Sequence, residues 1–303
     1  MRSARTILVM CATGNQGRGV VRHCLQRGQR VCAFVRDPSS ATAQSLEHLG
    51  AKLIPGNFDD IEALIKASQS VDAVFHLEAQ TADFVGDLQR SRNVLAAARS
   101  SGRVSTVVVS TAVKTGQHES FPGWGPAHPM RAYWLNKHEI ENMVREAGFP
   151  CWTIVRPGYL LQNFTAPVSD VYFPNAMEDA TLRVAWKPRL KLPWLDAGDV
   201  GAVVADVVDR PEKFHGREID LAVEALDIEE MAQKLTVAQG REFKVHYYSQ
   251  EEEEEELAKR GPMIPAQRWA NEVFGTSANK SVKGASEFPL TSVSRFFKRN
   301  RLF

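Results

Sequence analysis

The sequence predicts an α/β fold: a doubly wound parallel sheet followed by a smaller carboxyl-terminal α+β region. Three observations support this prediction. In the first half of the chain, short apolar runs alternate with amphipathic stretches, and apolar runs without polar alternation are typical of parallel strands covered on both faces. Several amphipathic stretches end at a glycine, as helices often do. After Arg156 the alternation stops, and prolines and aromatic residues become frequent.

The predicted elements follow a βαβ order over the first half of the chain. The strands predicted there are 6–11, 30–35, 52–54, 73–77, 104–110 and 151–155, and the helices are 17–27, 41–49, 61–68, 85–100 and 133–147, with Gly28, Gly50, Gly102 and Gly148 at helix ends. Later we expect helices at 199–208, 227–239 and 250–259, and strands at 218–223 and 243–247. Residues 157–195 are expected to be irregular chain with short elements near the carboxyl edge of the sheet.

Composition excludes several classes of protein. The formal net charge of +1 gives no reason to expect direct nucleic-acid binding or attraction to an anionic membrane, and no stretch approaches the roughly 20 apolar residues of a membrane span. The four cysteines have neither metal-ligand spacing nor the pairing pattern of a secreted scaffold, which favours a reducing, cytoplasmic location. No His/Asp/Glu cluster has ligand spacing, so we expect no metal.

The segment TILVMCATGNQGRG places a strand directly before a glycine-containing turn and a helix. Glycines in such a turn let the backbone approach a pyrophosphate, and the helix N-terminus offers unpaired N–H groups. We therefore predict a Rossmann-type dinucleotide site at Thr13, Gly14, Asn15, Gln16 and Gly17. Cys11 stands where the motif usually has its first glycine; a small buried thiol filling that place is the simpler interpretation, and an oxidant-sensing thiol is the alternative.

The end of the second strand predicts which nucleotide binds. An acidic residue there would accept the ribose hydroxyls of NAD, but this chain has Arg36, whose guanidinium suits a 2′-phosphate. Ser39 and Ser40 offer further donors, whereas Asp37 can compete for the arginine. NADP(H) is therefore the predicted cofactor. Residues after the third and fourth strands are expected to contact the adenine and the bridge to the nicotinamide: Asn57, Phe58 and Leu77 to Ala79.

The sequence resembles the NmrA-like family of atypical short-chain dehydrogenases/reductases. The matching pieces, spread over roughly residues 5–250, are ATGNQGRGV, VRDP, YWLNKHEIENMVREAGFPCWTIVRPGYLLQNF and LDAGDVGAVVAD. The resemblance implies a Rossmann domain with a smaller carboxyl-terminal region that closes over the nicotinamide end. Members of this family include NADP(H)-dependent reductases, many of them in secondary metabolism, and non-catalytic redox sensors or transcriptional regulators.

Tyr133 and Lys137 form Tyr-x-x-x-Lys on a predicted helix, which places both side chains on one face, one turn apart. In dehydrogenases of this type the tyrosine exchanges a proton with the substrate oxygen. The lysine of those enzymes binds the nicotinamide ribose and lowers the tyrosine pKa from about 10. In this interpretation Lys137 has the same two roles. The alternative is a packing tyrosine and a solvated lysine. The partner hydroxyl after the fifth strand falls on Ser110 or Thr111, with Thr111 as the candidate, or the register places Ala112 there.

The chain after Arg156 supplies the remaining predicted contacts. Pro157, Gly158 and Tyr159 are expected to approach the nicotinamide, and Gln162, Asn163, Phe164 and Trp186, joined by Trp269, to line a pocket for a flat apolar substrate. Packing between the two regions would explain the same aromatic residues. The insertion 114–130, which carries His118 and His128, is either a mobile lid or a surface loop.

These residues together predict an NADPH-dependent oxidoreductase that reduces a carbonyl or conjugated double bond of a small, largely apolar molecule. Residues 1–156 would form the NADP(H)-binding core and 157–303 the substrate-binding region, with 196–210 returning to the core. Two alternatives stay open: a non-catalytic NADP(H) sensor acting through a regulatory protein partner, and a non-redox isomerase or cyclase on the same fold. A homodimer through the helices 85–100 and 133–147 is expected by analogy with relatives of this fold.

Overall fold

The structure is a computed structural model that describes residues 4–78, 81, 83–260, 263–275 and 287–300. Its strands are β1 (Thr6–Val9), β2 (Arg30–Val35), β3 (Lys52–Pro55), β4 (Ala73–Leu77), β5 (Thr106–Ser110), β6 (Cys151–Pro157), β7 (Tyr159–Leu160), β8 (Thr181–Val184), β9 (Leu192–Leu195), β10 (Arg217–Leu221), β11 (Glu224–Leu226) and β12 (Lys244–Tyr247).

The helices alternate with the strands in the first half of the chain and are shorter in the second half. They are α1 (Asn15–Gln26), α2 (Ala41–His48), α3 (Ile61–Ser68), α4 (Phe84–Ser100), α5 (Arg131–Glu146), α6 (Val168–Tyr172), α7 (Ala176–Asp179), α8 (Val200–Asp209), α9 (Pro211–Phe214), α10 (Ile228–Gln239), α11 (Gln250–Arg260), α12 (Met263–Val273) and α13 (Val293–Arg299). None of the helices within the described residues is long and apolar enough to cross a membrane.

The main sheet has seven strands in the order β10-β6-β5-β4-β1-β2-β3. The pairings from β3 through β6 are all parallel. Ile7 of β1 pairs with Val31 on one side and with Ala73 on the other, so the chain winds outward in both directions from β1. This doubly wound arrangement confirms the predicted α/β fold. It also places a switch point between β1 and β4, where ligands of such sheets bind beside the carboxyl ends of the strands.

The core of the main sheet is apolar on both faces. Leu8, Val74 and Val107 on the strands have no exposed surface, and Val94 of α4 and Val144 of α5 are equally buried against them. All the residues of β1 and β5 are buried. Burial on both faces explains why these strands lack polar alternation in the sequence.

The element ends follow from local backbone chemistry. All four glycines predicted at helix ends have left-handed φ angles: +75° at Gly28, +105° at Gly50, +62° at Gly102 and +70° at Gly148, which confirms their predicted role. β1 ends at Val9, two residues before its predicted end, because Cys11 has left the extended region with φ of +49°.

Contacts divide the described chain into two compact units. The first draws on Met1–Gly116, Ala132–Pro157 and Ala197–Asp220, and the second on Gln117–Arg131, Gly158–Asp196 and Leu221–Phe303. Residues 117–131, which the predicted boundary assigns to the first region, therefore cluster with the second unit. The ring of Phe121 explains this, because it packs edge-on against Trp269 at 5.4 Å.

The second unit holds two small sheets. β9 lies between β7 and β11 in one of them, and β8 pairs with β12 in parallel in the other. Residues 157–195, expected to be irregular chain with short elements, contain three strands of two to four residues each and the short helices α6 and α7. The core of the second unit is aromatic. The ring of Phe164 stacks on Phe173 with 4.5 Å between centroids, and its centroid lies 5.5 Å from that of Trp194 and 5.4 Å from that of Phe297 of α13.

In the first unit, α1 and α8 touch through glycines. A Cβ atom added to Gly19 would lie 2.6 Å from the Cα of Gly198, and one added to Gly201 would lie 2.2 Å from the carbonyl oxygen of Gly19. Real Cβ atoms do not approach backbone this closely. The two helices can therefore hold this separation only with glycine at these positions.

We predict that Gly201→Ala lowers the free energy of unfolding by roughly 1–3 kcal/mol, because the new methyl group overpacks a backbone contact. Gly125→Ala is the matched control, since a Cβ there meets nothing within 4 Å. Urea denaturation of both variants measures the difference. Equal stability of the two variants would contradict the helix contact.

Candidate functional site

The glycine-rich turn follows β1 as predicted. Cys11 takes the left-handed conformation usual for the first glycine of this motif, and its carbonyl oxygen accepts a hydrogen bond from the Gly14 N–H at 2.9 Å. A Cβ on Gly17 would lie 2.1 Å from the same carbonyl oxygen. Any side chain at residue 17 would therefore push α1 away from the end of β1.

The N-terminus of α1 is open to a ligand. Its N-cap, Gly14, has no side chain to bond the first-turn N–H groups, so these donors face outward beside an exposed Thr13. Asn15 accepts a hydrogen bond from Arg18 at 2.6 Å. Gln16 is buried, and its Oε1 accepts a hydrogen bond from the Ser110 hydroxyl at 2.7 Å, which ties the turn to the end of β5.

Arg36, just after β2, is exposed, and within the described chain no carboxylate lies at ion-pair distance from it. Asp37 does not compete, because it accepts hydrogen bonds from the Ser39 backbone N–H at 2.8 Å and from the Ser39 hydroxyl at 2.6 Å. These bonds hold the pKa of Asp37 below its usual value. Ser40 donates its hydroxyl to the Asp37 carbonyl. The arginine is thus available to an anion, whereas both serine hydroxyls are used within the turn.

The residues predicted beside the adenine have structural contacts of their own. Asn57 accepts hydrogen bonds from the backbone N–H groups of Asp59 and Asp60, and the ring of Phe58 stacks on Phe34 at 6.2 Å. Leu77 ends β4, and its carbonyl oxygen accepts the Cys11 thiol at 3.4 Å. Ala79, also predicted here, lies outside the described residues.

The thiol of Cys11 is a poor nucleophile. Burial raises its pKa to about 11, against the opposing effect of the positive charges of Arg36 and Lys137. A thiol with this pKa is protonated at neutral pH, and the thiolate is the reactive form. The structure therefore favours the interpretation of Cys11 as a small residue in place of a glycine.

Tyr133 and Lys137 lie one turn apart on α5, with the Lys137 Nζ 5.5 Å from the centroid of the tyrosine ring. Sequence reasoning missed the partner of this lysine. Glu78, directly after β4, places its Oε2 2.6 Å from the Lys137 Nζ, and the two side chains are only 3% and 5% exposed. A carboxylate following a buried strand at the switch point was the signal that could have indicated it.

The pKa of Tyr133 is well above its ordinary value. Burial is the main cause, and the negative charge of Glu78 acts in the same direction. This is opposite to the sequence-based expectation that Lys137 lowers the tyrosine pKa. The physical reason is first burial, which disfavours the charged phenolate, and second the negative charge of Glu78, the carboxylate that pairs with Lys137.

The two hydroxyls after β5 have different partners. Ser110 faces Gln16 of the glycine-rich turn, whereas the Thr111 hydroxyl donates to Oε1 of Glu141 at 2.7 Å. Glu141 has no exposed surface and is held by Arg156 through two hydrogen bonds of 2.8 and 2.5 Å. The structure thus places Thr111, the candidate hydroxyl, in a buried charge network.

The residues predicted at the nicotinamide end belong to both units. In the first unit, the Pro157 carbonyl oxygen accepts a hydrogen bond from the Val113 N–H at 3.1 Å. In the second, a Cβ on Gly158 would lie 2.2 Å from the Pro193 carbonyl oxygen. The ring of Tyr159 packs against Trp194 at 5.6 Å.

The predicted substrate residues all lie in the second unit and differ in character. Gln162 donates to Asp196 at 2.7 Å, Asn163 is buried, and Phe164 belongs to the aromatic core. Trp186 is 3% exposed, and none of the described residues accepts a hydrogen bond from its Nε1–H. Trp186 therefore has an unused polar group.

The segment 117–131 packs its histidines on an aromatic ring. His118 and His128 flank Trp124 with ring centroids 4.9 and 5.0 Å away, and both are at most 9% exposed. Burial lowers the pKa of His128. Neither histidine is a solvated loop residue. Over the described residues, no cluster of His, Cys, Asp and Glu could hold a metal.

The sheet order, the glycine turn after β1 and the Tyr-x-x-x-Lys helix before β6 define a Rossmann-type protein with the layout of the atypical short-chain dehydrogenases/reductases. The chain belongs to the NmrA-like family, whose model matches residues 3–282. This confirms the resemblance carried by the sequence motifs.

Three known proteins illustrate the range of the similarity. An NAD(P)H azoreductase from Xenophilus azovorans is 28% identical over 236 residues, which are 78% of this chain and 74% of the relative. The negative transcriptional regulator NmrA in complex with NADP matches with a TM-score of 0.75 and 21% identity, over 98% of this chain and 95% of that one. Triphenylmethane reductase of Citrobacter sp., complexed with NADP(H), matches with a TM-score of 0.76 and 19% identity, over 97% and 99%. The two structural matches show the fold.

We predict that Thr111→Val lowers the free energy of unfolding by about 1–3 kcal/mol, because it leaves a buried oxygen of Glu141 without one of its donors. Thr111→Ser keeps the hydroxyl and is the control, with a smaller loss expected. Thermal and urea denaturation measure both. A fully stable Thr111→Val variant would show that the hydroxyl is not needed for the Glu141 network.

Proposed function

We propose that this chain is an NADPH-dependent oxidoreductase that reduces a carbonyl or conjugated double bond of a small, largely apolar molecule. The observation that carries the proposal is the juxtaposition of Tyr133 and Lys137 on α5, in the unit that also holds the glycine-rich turn. Membership of the NmrA-like family supports it, as does the similarity to an NAD(P)H azoreductase.

The proposed cofactor is NADP(H), and the residues present fit it. The N-cap of α1 is a glycine, which leaves the first-turn N–H groups to a pyrophosphate. The lack of room for a side chain at Gly17 keeps α1 against the end of β1. Arg36 is exposed and free to pair with a 2′-phosphate. When bound, the dinucleotide supplies the hydride. Asn57, Phe58 and Leu77 stay predicted contacts along it.

In this proposal Tyr133 is the proton donor. Its raised pKa keeps the phenol protonated at neutral pH, so it can donate to a substrate oxygen that gains negative charge. Lys137 binds the nicotinamide ribose and stays in its pair with Glu78. Gln162, Asn163 and Trp186 are the proposed substrate contacts, and the aromatic character of the second unit favours a flat substrate.

A second candidate function is a non-catalytic NADP(H) sensor that acts through a regulatory protein partner. The observation favouring it is that the candidate catalytic cation and hydroxyl both have buried carboxylate partners, Glu78 for Lys137 and Glu141 for Thr111. A negative transcriptional regulator with the same fold binds NADP. The two candidates share the cofactor site and differ in whether a substrate is turned over.

For the cofactor, we predict that NADPH binds at least about tenfold tighter than NADH and that Arg36→Ala removes this preference, since a charge-assisted pair with a phosphate is worth roughly 1.5–3 kcal/mol. Fluorescence titration of both nucleotides measures the dissociation constants. Arg22→Ala, which removes an exposed arginine further along α1, should keep the preference. Failure of the wild-type protein to bind either nucleotide would refute the cofactor assignment.

For catalysis, we predict that Tyr133→Phe lowers kcat by about 10²–10⁴-fold, the usual contribution of a positioned proton donor, and leaves NADPH affinity unchanged. The assay follows NADPH consumption with azo dyes, triphenylmethane dyes, aromatic ketones and enones. Tight NADPH binding without turnover of any of these compounds would favour the sensor. Full activity of Tyr133→Phe would remove the tyrosine from the mechanism.

A further inference from the structure

The ion pair between Glu78 and Lys137 is buried and held from several sides. Its two charged atoms are 2.6 Å apart. Asn136 donates from its Nδ2 to Glu78 Oε1 at 3.4 Å and to the Phe84 carbonyl oxygen at 2.7 Å. The network therefore joins the end of β4, the start of α4 and the middle of α5. The Glu78 carboxylate can turn away from the lysine only by breaking its contacts with Lys137 and Asn136, both on α5.

The other titratable groups near Lys137 carry no compensating charge. His76 is fully buried, and burial together with the Lys137 charge lowers its pKa to about 3, so it is neutral. Cys11 is a protonated thiol and carries no charge. The two charged groups that act on Cys11, Lys137 and Arg36, are both positive. Glu78 is thus the anion that balances Lys137 on this side of the sheet.

We propose that Glu78 is a positioning residue that holds the Lys137 ammonium and offsets its charge at the Tyr133 phenol, so that Tyr133 stays in the protonated form that donates a proton to the substrate oxygen in reduction. The inference rests on the proposed function and deepens it, because it gives one carboxylate a part in keeping Tyr133 protonated. It also gives a role to a residue that the Tyr-x-x-x-Lys pattern does not contain.

The sign of the net charge beside the Tyr133 phenol affects how readily the phenol ionises. An uncompensated ammonium one helical turn from a phenol stabilises the phenolate and lowers the tyrosine pKa. A carboxylate 2.6 Å from that ammonium cancels most of its field and adds its own negative charge, which opposes ionisation of the phenol. The tyrosine of this chain has a raised pKa, with burial as the largest cause and the Glu78 charge as the second. A tyrosine that resists ionisation is seldom present as the phenolate that abstracts a proton from an alcohol, whereas its phenol form can give a proton to a carbonyl oxygen.

The test is a pH titration of tyrosinate absorbance, which needs neither cofactor nor substrate. The chain has five tyrosines, so the signal of Tyr133 is obtained by subtracting the Tyr133→Phe protein in each background. In the wild type we expect this signal to rise only above about pH 10, the ordinary tyrosine value. In Glu78→Gln the lysine charge is uncompensated, and the midpoint should fall by about 1–3 pH units.

A double variant tests whether the shift comes from the uncompensated lysine charge. Glu78→Gln combined with Lys137→Met removes both charges and should return the Tyr133 midpoint to the wild-type value. Since a buried pair can be replaced by neutral groups with little loss of stability, this double variant serves if Glu78→Gln does not fold. A midpoint raised above the wild type in the double variant would show that Lys137 dominates, and it would overturn the proposal.

Glu139→Gln is the matched control, because Glu139 lies on the same helix in an exposed pair with Arg92 at 3.8 Å. It should leave the Tyr133 midpoint unchanged. An unchanged midpoint in Glu78→Gln, with the protein folded, would also overturn the proposal. The outcome is separable from that of the proposed function, which fails if NADPH does not bind, whereas the tyrosinate titration proceeds without any nucleotide.

Discussion

The first unit depends on how closely α1 approaches its neighbours. At one end of the contact the helix lies against the carbonyl oxygen of Cys11, at a distance that only Gly17 permits, and further along Gly19 lies against Gly198 and Gly201. These contacts fix both the position and the direction of the helix. Because its N-terminus is held at the end of β1, the free N–H groups, the end of β2 and the end of β4 face the same switch point.

Two buried carboxylates organise the polar side of this unit. Glu141 binds Thr111 and Arg156, and Glu78 binds Lys137. A buried ion pair is weak evidence for stability, because desolvation offsets most of the attraction. Its effect is geometric: breaking it leaves an unpaired charge, so the partners have few alternative positions. The hydroxyl after β5 and the lysine of α5 are therefore held in place by groups that the short sequence motifs do not include.

Much of the fold follows from the sequence alone, for identifiable reasons. β2, β4 and α3 have their predicted bounds, because each apolar or amphipathic run is flanked by turn residues. β7, β8 and β9 escape prediction because strands of two to four residues are too short to show a period. At the site, the turn and the Tyr133–Lys137 spacing depend on local sequence. Glu78 could not be assigned in the same way, since its partner lies 59 residues along the chain and only the sheet order brings the two together.

The path of the chain between the two units has a consequence for recombination. The backbone passes from one unit to the other after residues 116, 131, 157, 196 and 220. No single cut separates the two units whole. A cut at the end of β6, for example, would separate α8 from α1, which it touches through Gly19 and Gly201. Exchange of the second unit between relatives therefore requires several matched crossovers at once. Point substitutions within the second unit are therefore expected to preserve the fold more readily than exchange of a contiguous segment.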